Sequence, residues 1–374
     1  MIQPAIRLKE QIGILTNDTT TKQFSFLISP LKNKTTVEEG EYILLDHPTQ
    51  CENSQILAEV TEIRSYEEIG GSSLSDKTAG NRIATAQIRG YINLQTENKP
   101  LQKLLTPPNP GSRVYLPLNE FLTDTLNRDT EGKPHQTPIT IGTTLTTAST
   151  ATNENKQPIP ISLDAETITT KHTLIAAIDG TGKTHAAQLI AKQLREKTQT
   201  PIIILDPYNE YSTSTHVVAP NPDKTAQDAT KHVKPSQTTA LTAQGLTPKE
   251  KRTLYNHYLT ALWKARQEKT IPPFLLIAED AETLKGETLG EIAYAGAKHG
   301  MALLLISKHA TELGGNVLSQ TTTQLMSRTN DKTDLDYLAN VTGEKAALLP
   351  TLTKGQWILN SSTMTRPLQI EIRE

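Results

Sequence analysis

Leu174-Ile175-Ala176-Ala177-Ile178-Asp179-Gly180-Thr181-Gly182-Lys183-Thr184-His185 runs from an apolar segment through a glycine-rich turn into Ala186-Ala187-Gln188-Leu189-Ile190-Ala191, which has helical periodicity. Strand, tight turn, Lys-Thr and helix in that order make a grip for the phosphates of a nucleoside triphosphate. Backbone N–H groups of residues Ala177 to His185 and the helix N-terminus would face the phosphates. Lys183 would neutralise charge, and the Thr184 hydroxyl would ligate Mg²⁺. Ala177 stands where Gly is usual and fits only if its φ is negative. Asp179 would repel phosphates unless it points to solvent. The bare string can also be a turn with a helix cap; the flanking strand and helix favour the phosphate reading.

Downstream, Pro201-Ile202-Ile203-Ile204-Leu205 ends in Asp206, with Glu210 four residues later. Ligand chemistry in a doubly wound sheet collects at the carboxyl ends of strands, so Asp206 and Glu210 could orient Mg²⁺-bound or attacking water. An Asx turn at Asp206 with a capping Glu210 is the other reading. Phe274-Leu275-Leu276-Ile277-Ala278 leads into Glu279 and Asp280. Glu279 would hold the Mg²⁺ shell and Asp280 would polarise the attacking water, although acids also favour any helix N-terminus. After Ala302-Leu303-Leu304-Leu305-Ile306-Ser307, Lys308 is placed to sense the γ-phosphate. Arg328 is a candidate to stabilise transition-state charge in its own or a neighbouring subunit.

The apolar strands at 173–178, 201–205, 273–278 and 301–306 alternate with helical stretches at 184–197, 247–268 and 285–299. That alternation predicts an α/β fold: a mostly parallel sheet with helices on both faces. Upstream, Ile12-Gly13-Ile14, Phe24 to Ile28, Glu41 to Leu45, Gln55 to Val60 and Ile83 to Gly90 are short strand patterns, which suits a small β-barrel. Gly70 to Ser75 reads as a loop. The domains expected are a barrel over 1–95, connecting strands and polar linker over 96–158, and the main α/β domain over 159–374. Residues 117–158, polar and Thr-rich, read as loops or linker.

A net charge of −2 carries no global nucleic-acid signature, yet a ring can confine basic residues to a channel. No apolar run approaches a membrane span, and the N-terminus lacks the form of a signal peptide. Cys51 is the single cysteine, which points to a reducing, cytoplasmic setting.

The ordered motifs resemble the HerA branch of the HerA/FtsK P-loop ATPases. His172 stands before the phosphate loop, and Asp206-Pro207-Tyr208-Asn209-Glu210-Tyr211 follows the family's Asp-Pro-x-Gly-Glu-Tyr, with Asn209 replacing Gly. Glu279-Asp280-Ala281 fits its acidic pair, with Glu282 where His is common, and Leu352 to Ile358 resembles its closing strand. The resemblance implies a RecA-like P-loop ATPase core behind a HerA-like barrel, ATP and Mg²⁺ as cofactors, and a homohexameric ring. It further implies translocation on double-stranded DNA, with a NurA-type nuclease in end resection and repair. The chain departs from the family at Ala297, where an arginine is usual, and at Lys308, where glutamine is usual. These changes predict an intact phosphate grip with slower hydrolysis. A nucleotide-binding scaffold, and an ATPase of a defence or conjugation module, are the alternative readings.

Overall fold

The computed structural model describes residues 8–29, 37–47, 54–66, 81–148, 157–211, 216–220, 227–284 and 286–373. Cys51 and the loop expected at Gly70 to Ser75 lie outside them. By internal packing the chain divides into two units, Met1–His135 with Thr143–Ile161, and Gln136–Gly142 with Ser162–Glu374.

Strands β1 (Leu8–Thr19), β2 (Gln23–Ile28), β3 (Tyr42–Asp46), β4 (Ser54–Tyr66), β5 (Asn81–Asn93) and β6 (Arg113–Pro117) form the first architecture. They close into a barrel in the order β1-β2-β5-β4-β3-β6, which leaves no open sheet edge. Every neighbouring pair is antiparallel. Period-two alternation sends Ile12, Phe24, Phe26, Ile43, Leu45, Ile56, Ala58, Ala84 and Ala86 into its core. The expected barrel is therefore present.

The chain continues through α1 (Asn119–Leu126), β7 (Pro138–Ala148), β8 (Gln157–Asp164), α2 (Ala165–Thr170), β9 (His172–Ala176), α3 (Lys183–Lys197), β10 (Ile202–Asp206), β11 (His216–Val218) and β12 (Thr238–Thr242). Then come α4 (Pro248–Gln267), β13 (Phe274–Ala278), α5 (Glu287–His299), β14 (Met301–Ser307), α6 (Gly315–Leu318), β15 (Thr321–Met326), α7 (Lys332–Thr342), β16 (Gln356–Ser361) and β17 (Leu368–Glu371). The stretch read as loops or linker over 117–158 thus holds α1, β7 and the start of β8. Pro138-Ile139-Thr140-Ile141-Gly142-Thr143-Thr144 supplies the reason: Thr is β-branched and pairs well in a sheet although it is polar.

The sheet runs β11-β12-β10-β13-β14-β9-β15-β16-β17-β7-β8. From β11 to β15 its neighbours are parallel, and β15-β16-β17 turn antiparallel. β9, β10, β13 and β14 are buried along their whole length, as strands covered on both faces must be. The register aligns their ends: Ala176 opposes Ser307 and Met326, while Ala278 opposes Leu205 and Leu305. From β9 the chain leaves through α3 to β10 on one side and reaches β15 on the other only later, so the crevice beyond β9 is the switch point where such sheets take ligands.

Helix α4 begins with a capping box, in which the Thr247 hydroxyl accepts from Glu250 N–H and the Glu250 carboxylate accepts from Thr247 N–H. Thr247→Ala should lower stability by about 1 kcal/mol, measured by denaturant unfolding at unchanged slope.

Candidate functional site

The Gly-rich turn leaves β9 between two neighbours that hold it. Ala177 N–H donates to Ser307 O at 3.2 Å, and Ile178 N–H donates to Arg328 O at 3.0 Å. The Thr181 hydroxyl donates to Ile178 O at 2.9 Å and closes the loop. Gly180 and Gly182 have φ of +79° and +104°, which only glycine adopts without strain. Ala177 is not among the positive-φ residues, so its Cβ is accommodated. Helix α3 starts at Lys183 and points its free N–H groups at the loop. His185, on the first turn of α3, donates a ring N–H to Arg373 O at 3.1 Å, away from the loop.

The Asp206 carboxylate is fully buried and accepts from Tyr208, Glu210 and Tyr211 N–H at 3.3, 3.0 and 3.0 Å. The Asx-turn reading of this residue is therefore the geometry present, and Asp206 builds the turn that carries Glu210. Asn209 takes φ of +64°, a left-handed conformation that Gly adopts freely and Asn tolerates. The Thr184 hydroxyl donates to Glu210 Oε2 at 3.3 Å.

Glu279 is buried and accepts from the Tyr211 hydroxyl at 2.7 Å. Burial pushes its carboxyl up to about 7; the Tyr211 and Thr184 hydroxyls hold it down, and the Glu210 and Asp280 charges raise it. Asp280 has φ of +46°, a strained conformation for a non-glycine residue, and accepts from the Tyr208 hydroxyl at 2.6 Å. Lys251 braces that tyrosine, with Nζ 4.7 Å from the ring centroid and a 2.8 Å bond to Pro207 O. Sequence reasoning gave neither tyrosine a role, although both lie inside the Asp206–Tyr211 motif.

Lys183 Nζ lies 3.2 Å from Asp179 Oδ1, and Lys308 Nζ lies 2.5 Å from Asp179 Oδ2. Each Asp179 oxygen is thus paired with an ammonium group, which offsets the carboxylate's charge beside the phosphate loop. Glu282 faces the Ser307 hydroxyl and the Lys308 main chain. The Arg328 side chain is exposed at the end of β15, next to the loop its carbonyl supports. His172 lies outside this group: its buried Nδ1 accepts from Leu303 N–H at 3.0 Å, and burial keeps the ring neutral. It ties β9 to β14.

Thr184, Glu210 and Glu279 offer only oxygen donors, and two of them are carboxylates that lack a lysine partner among the described ion pairs. That donor set fits a hard divalent cation such as Mg²⁺. Because Glu279 is protonated more readily in the fold than in the unfolded chain, its contribution to stability is fully present below about pH 4.5 and is lost as pH rises through about 7. Without metal, Glu279→Gln should therefore melt above wild type at pH 8 and close to it at pH 5, by a free-energy difference on the order of 2 kcal/mol. Equal offsets at both pH values would contradict the assignment.

Residues 139–342, more than half of the chain, match the family model described as Helicase HerA, central domain. The chain is 24% identical over 176 residues to an uncharacterized protein of Aquifex aeolicus, covering 44% of this chain and 60% of that one. It is 27% identical over 135 residues to the DNA double-strand break repair helicase HerA of Sulfolobus acidocaldarius, covering 31% and 27%. With HerA of Pyrococcus furiosus it shares 22% over 219 residues, covering 54% and 35%. The match takes in less than two thirds of each of these relatives. Among solved structures, VirB4 of Thermoanaerobacter pseudethanolicus gives a TM-score of 0.48 at 12% identity, over 65% of this chain and 98% of that one. The genome packaging NTPase B204 of Sulfolobus turreted icosahedral virus 2, in complex with AMPPCP, gives 0.44 at 15%, over 55% and 99%.

Proposed function

The chain belongs to the family of the HerA helicase central domain, and from that premise we propose that it is an ATP-driven translocase on double-stranded DNA, built as a homohexameric ring. The observation that carries the reading is the row of strand ends. Ala176, Ser307 and Met326 finish in register, and Ala278 ends opposite Leu205 and Leu305, within two residues of that level. Beyond these strand ends and that of Asp206 stand the phosphate loop, Glu210, Glu279 with Asp280, Lys308 and Arg328.

In this reading the loop amides from Asp179 to Thr184 and the start of α3 hold the phosphates, with Lys183 leaving Asp179 to bind them. The Ala177 and Ile178 amides, expected to face the phosphates, are instead spent on the Ser307 and Arg328 carbonyls and shape the loop. Thr184 and Glu279 would hold Mg²⁺, with Glu210 beside them, and the ion would supply positive charge to offset that of the phosphates. Asp206 supports Glu210 through the main chain and is a positioning residue. Asp280 aligns and deprotonates the attacking water, but it is one methylene shorter than a glutamate and is held by Tyr208. Hydrolysis is therefore slow until the tyrosine contact opens. Arg328 supplies positive charge to the transition state in its own or the adjoining subunit. Sites shared between subunits couple hydrolysis in one to movement of channel loops in the next.

DNA enters the ring through phosphate contacts, and the barrel offers a dock for a NurA-type nuclease in end resection and repair. The setting is the cytoplasm; among the described residues no helix is long and apolar enough to cross a membrane. Duplex affinity, titrated by fluorescence anisotropy at stepped salt, should fall steeply and linearly on a log–log plot. A salt-independent affinity, or none, contradicts the DNA half of the proposal. The scaffold reading draws on the same structure, since Lys183 is committed to Asp179 and Asp280 to Tyr208. A Lys183→Ala chain with full biological activity would favour it.

A further inference from the structure

Asp179 sits in the middle of the phosphate loop, where a carboxylate opposes any bound anion. Its two oxygens bridge two ammonium groups: Lys183 at 3.2 Å and Lys308 at 2.5 Å. The residues come from the ends of β9 and β14, whose last positions, Ala176 and Ser307, are in register. The bridge is therefore a product of sheet order, since 179 and 308 are far apart in sequence. As an ion pair it adds little stability, because Asp179 is 67% and Lys308 44% exposed. Its consequence is electrostatic and local.

We propose that Asp179 and Lys308 are a compensating pair that sets the preference for a nucleoside triphosphate over a diphosphate. Without Lys308, Asp179 would cancel the charge of Lys183 and present the terminal phosphate with an uncompensated carboxylate. With Lys308, the three groups carry one net positive charge, so Lys183 can turn to the phosphates while Lys308 keeps Asp179 neutralised. Specificity is a difference of two affinities, and a charge beside the third phosphate acts on one ligand more than the other. The pairing is supported by the direction of both titrations: Lys308 holds the Asp179 carboxyl below its ordinary range, and Asp179 raises the Lys308 ammonium. The Asp280 and Glu282 carboxylates also act on Lys308 and favour its ammonium form. A glutamine at 308 could hydrogen-bond a phosphate oxygen but could not offset Asp179. The carboxylate that stood out at Asp179 and the departure from the family pattern at Lys308 are then two halves of one pair.

This inference rests on the reading of the site as a nucleoside triphosphate site, and its test separates the two. Binding of a non-hydrolysable ATP analogue and of ADP, each with Mg²⁺, is measured by calorimetry on the full chain. Lys308→Gln should lower the preference for the analogue by about tenfold, equivalent to ~1.4 kcal/mol, with ADP little changed. Asp179→Asn should tighten the analogue, and the double variant should recover most of the preference lost in Lys308→Gln. Lys308→Arg should retain it, and melting curves should show every variant folded. An unchanged preference in Lys308→Gln, or a double variant no better than that single one, overturns the pair. Failure of the wild-type chain to bind either nucleotide overturns the site reading and the pair with it.

Discussion

Lys183→Ala should abolish measurable ATP binding and, with it, any hydrolysis. The loop owes its shape to main-chain bonds from Ala177 and Ile178 and to the closed Thr181 hydroxyl contact, none of which uses the lysine. The variant should therefore fold and melt close to wild type, because the ion pair it loses is with an exposed Asp179 and is worth less than about 1 kcal/mol. Binding is another matter. Lys183 is nearly buried and is the first cation available to the phosphates. Removing one partner of a desolvated charge pair costs about 2–5 kcal/mol, and 1.4 kcal/mol is already tenfold. A loss of about two orders of magnitude or more in ATP affinity is the result expected from calorimetry. The Ala variant also leaves Asp179 facing the phosphates with one lysine in place of two, which deepens the loss. Near-normal affinity would remove the phosphate loop from its assigned role.

Asp280→Asn should lower the hydrolysis rate by about 10²–10⁴-fold while ATP affinity changes little. Asn keeps the shape of the side chain and can still accept from the Tyr208 hydroxyl, but it cannot take a proton from water. Its backbone also tolerates the φ of +46° found here, since Asn populates that region readily, so misfolding would not confuse the result. The comparison with Glu279 is informative. Glu279 is buried against Tyr211 with its carboxyl near 7, whereas Asp280 is partly exposed at the mouth of the site. Glu279→Gln should therefore weaken the Mg²⁺ dependence before it touches the chemical step. If the Asp280→Asn rate is normal, Glu210, already bonded to Thr184, becomes the residue that handles the water.

The strands that carry the site were legible because each is a short apolar run that ends in a polar or glycine residue, and burial on both faces leaves that pattern intact in sequence. The barrel strands were legible from alternation, with Phe24 and Phe26 as the plainest instance. The segment from Pro138 to Ala148 was not, because its strand is written in threonine, which polarity alone assigns to loops. Asp206 shows a different limit. An acid at a strand end can ligate a cation or accept backbone N–H groups, and only the turn geometry around Tyr208 to Tyr211 decides which. The tyrosines were hidden for a related reason: their hydroxyls reach Glu279 and Asp280 across neighbouring strands, so their partners are distant in sequence. Ala177 and Asp179 began as flaws in a motif. The first is accommodated by its backbone conformation, and the second is ion-paired with Lys183 and Lys308.

The central claim is a nucleotide-driven ring on duplex DNA. Its most direct test is the mass of the particle in solution, by light scattering with ATP and Mg²⁺, together with ATPase rates with and without duplex DNA at low salt. The account predicts a particle of six chains and hydrolysis that is slow alone and strongly stimulated by duplex. A monomer whose rate ignores duplex DNA at every protein concentration would contradict it.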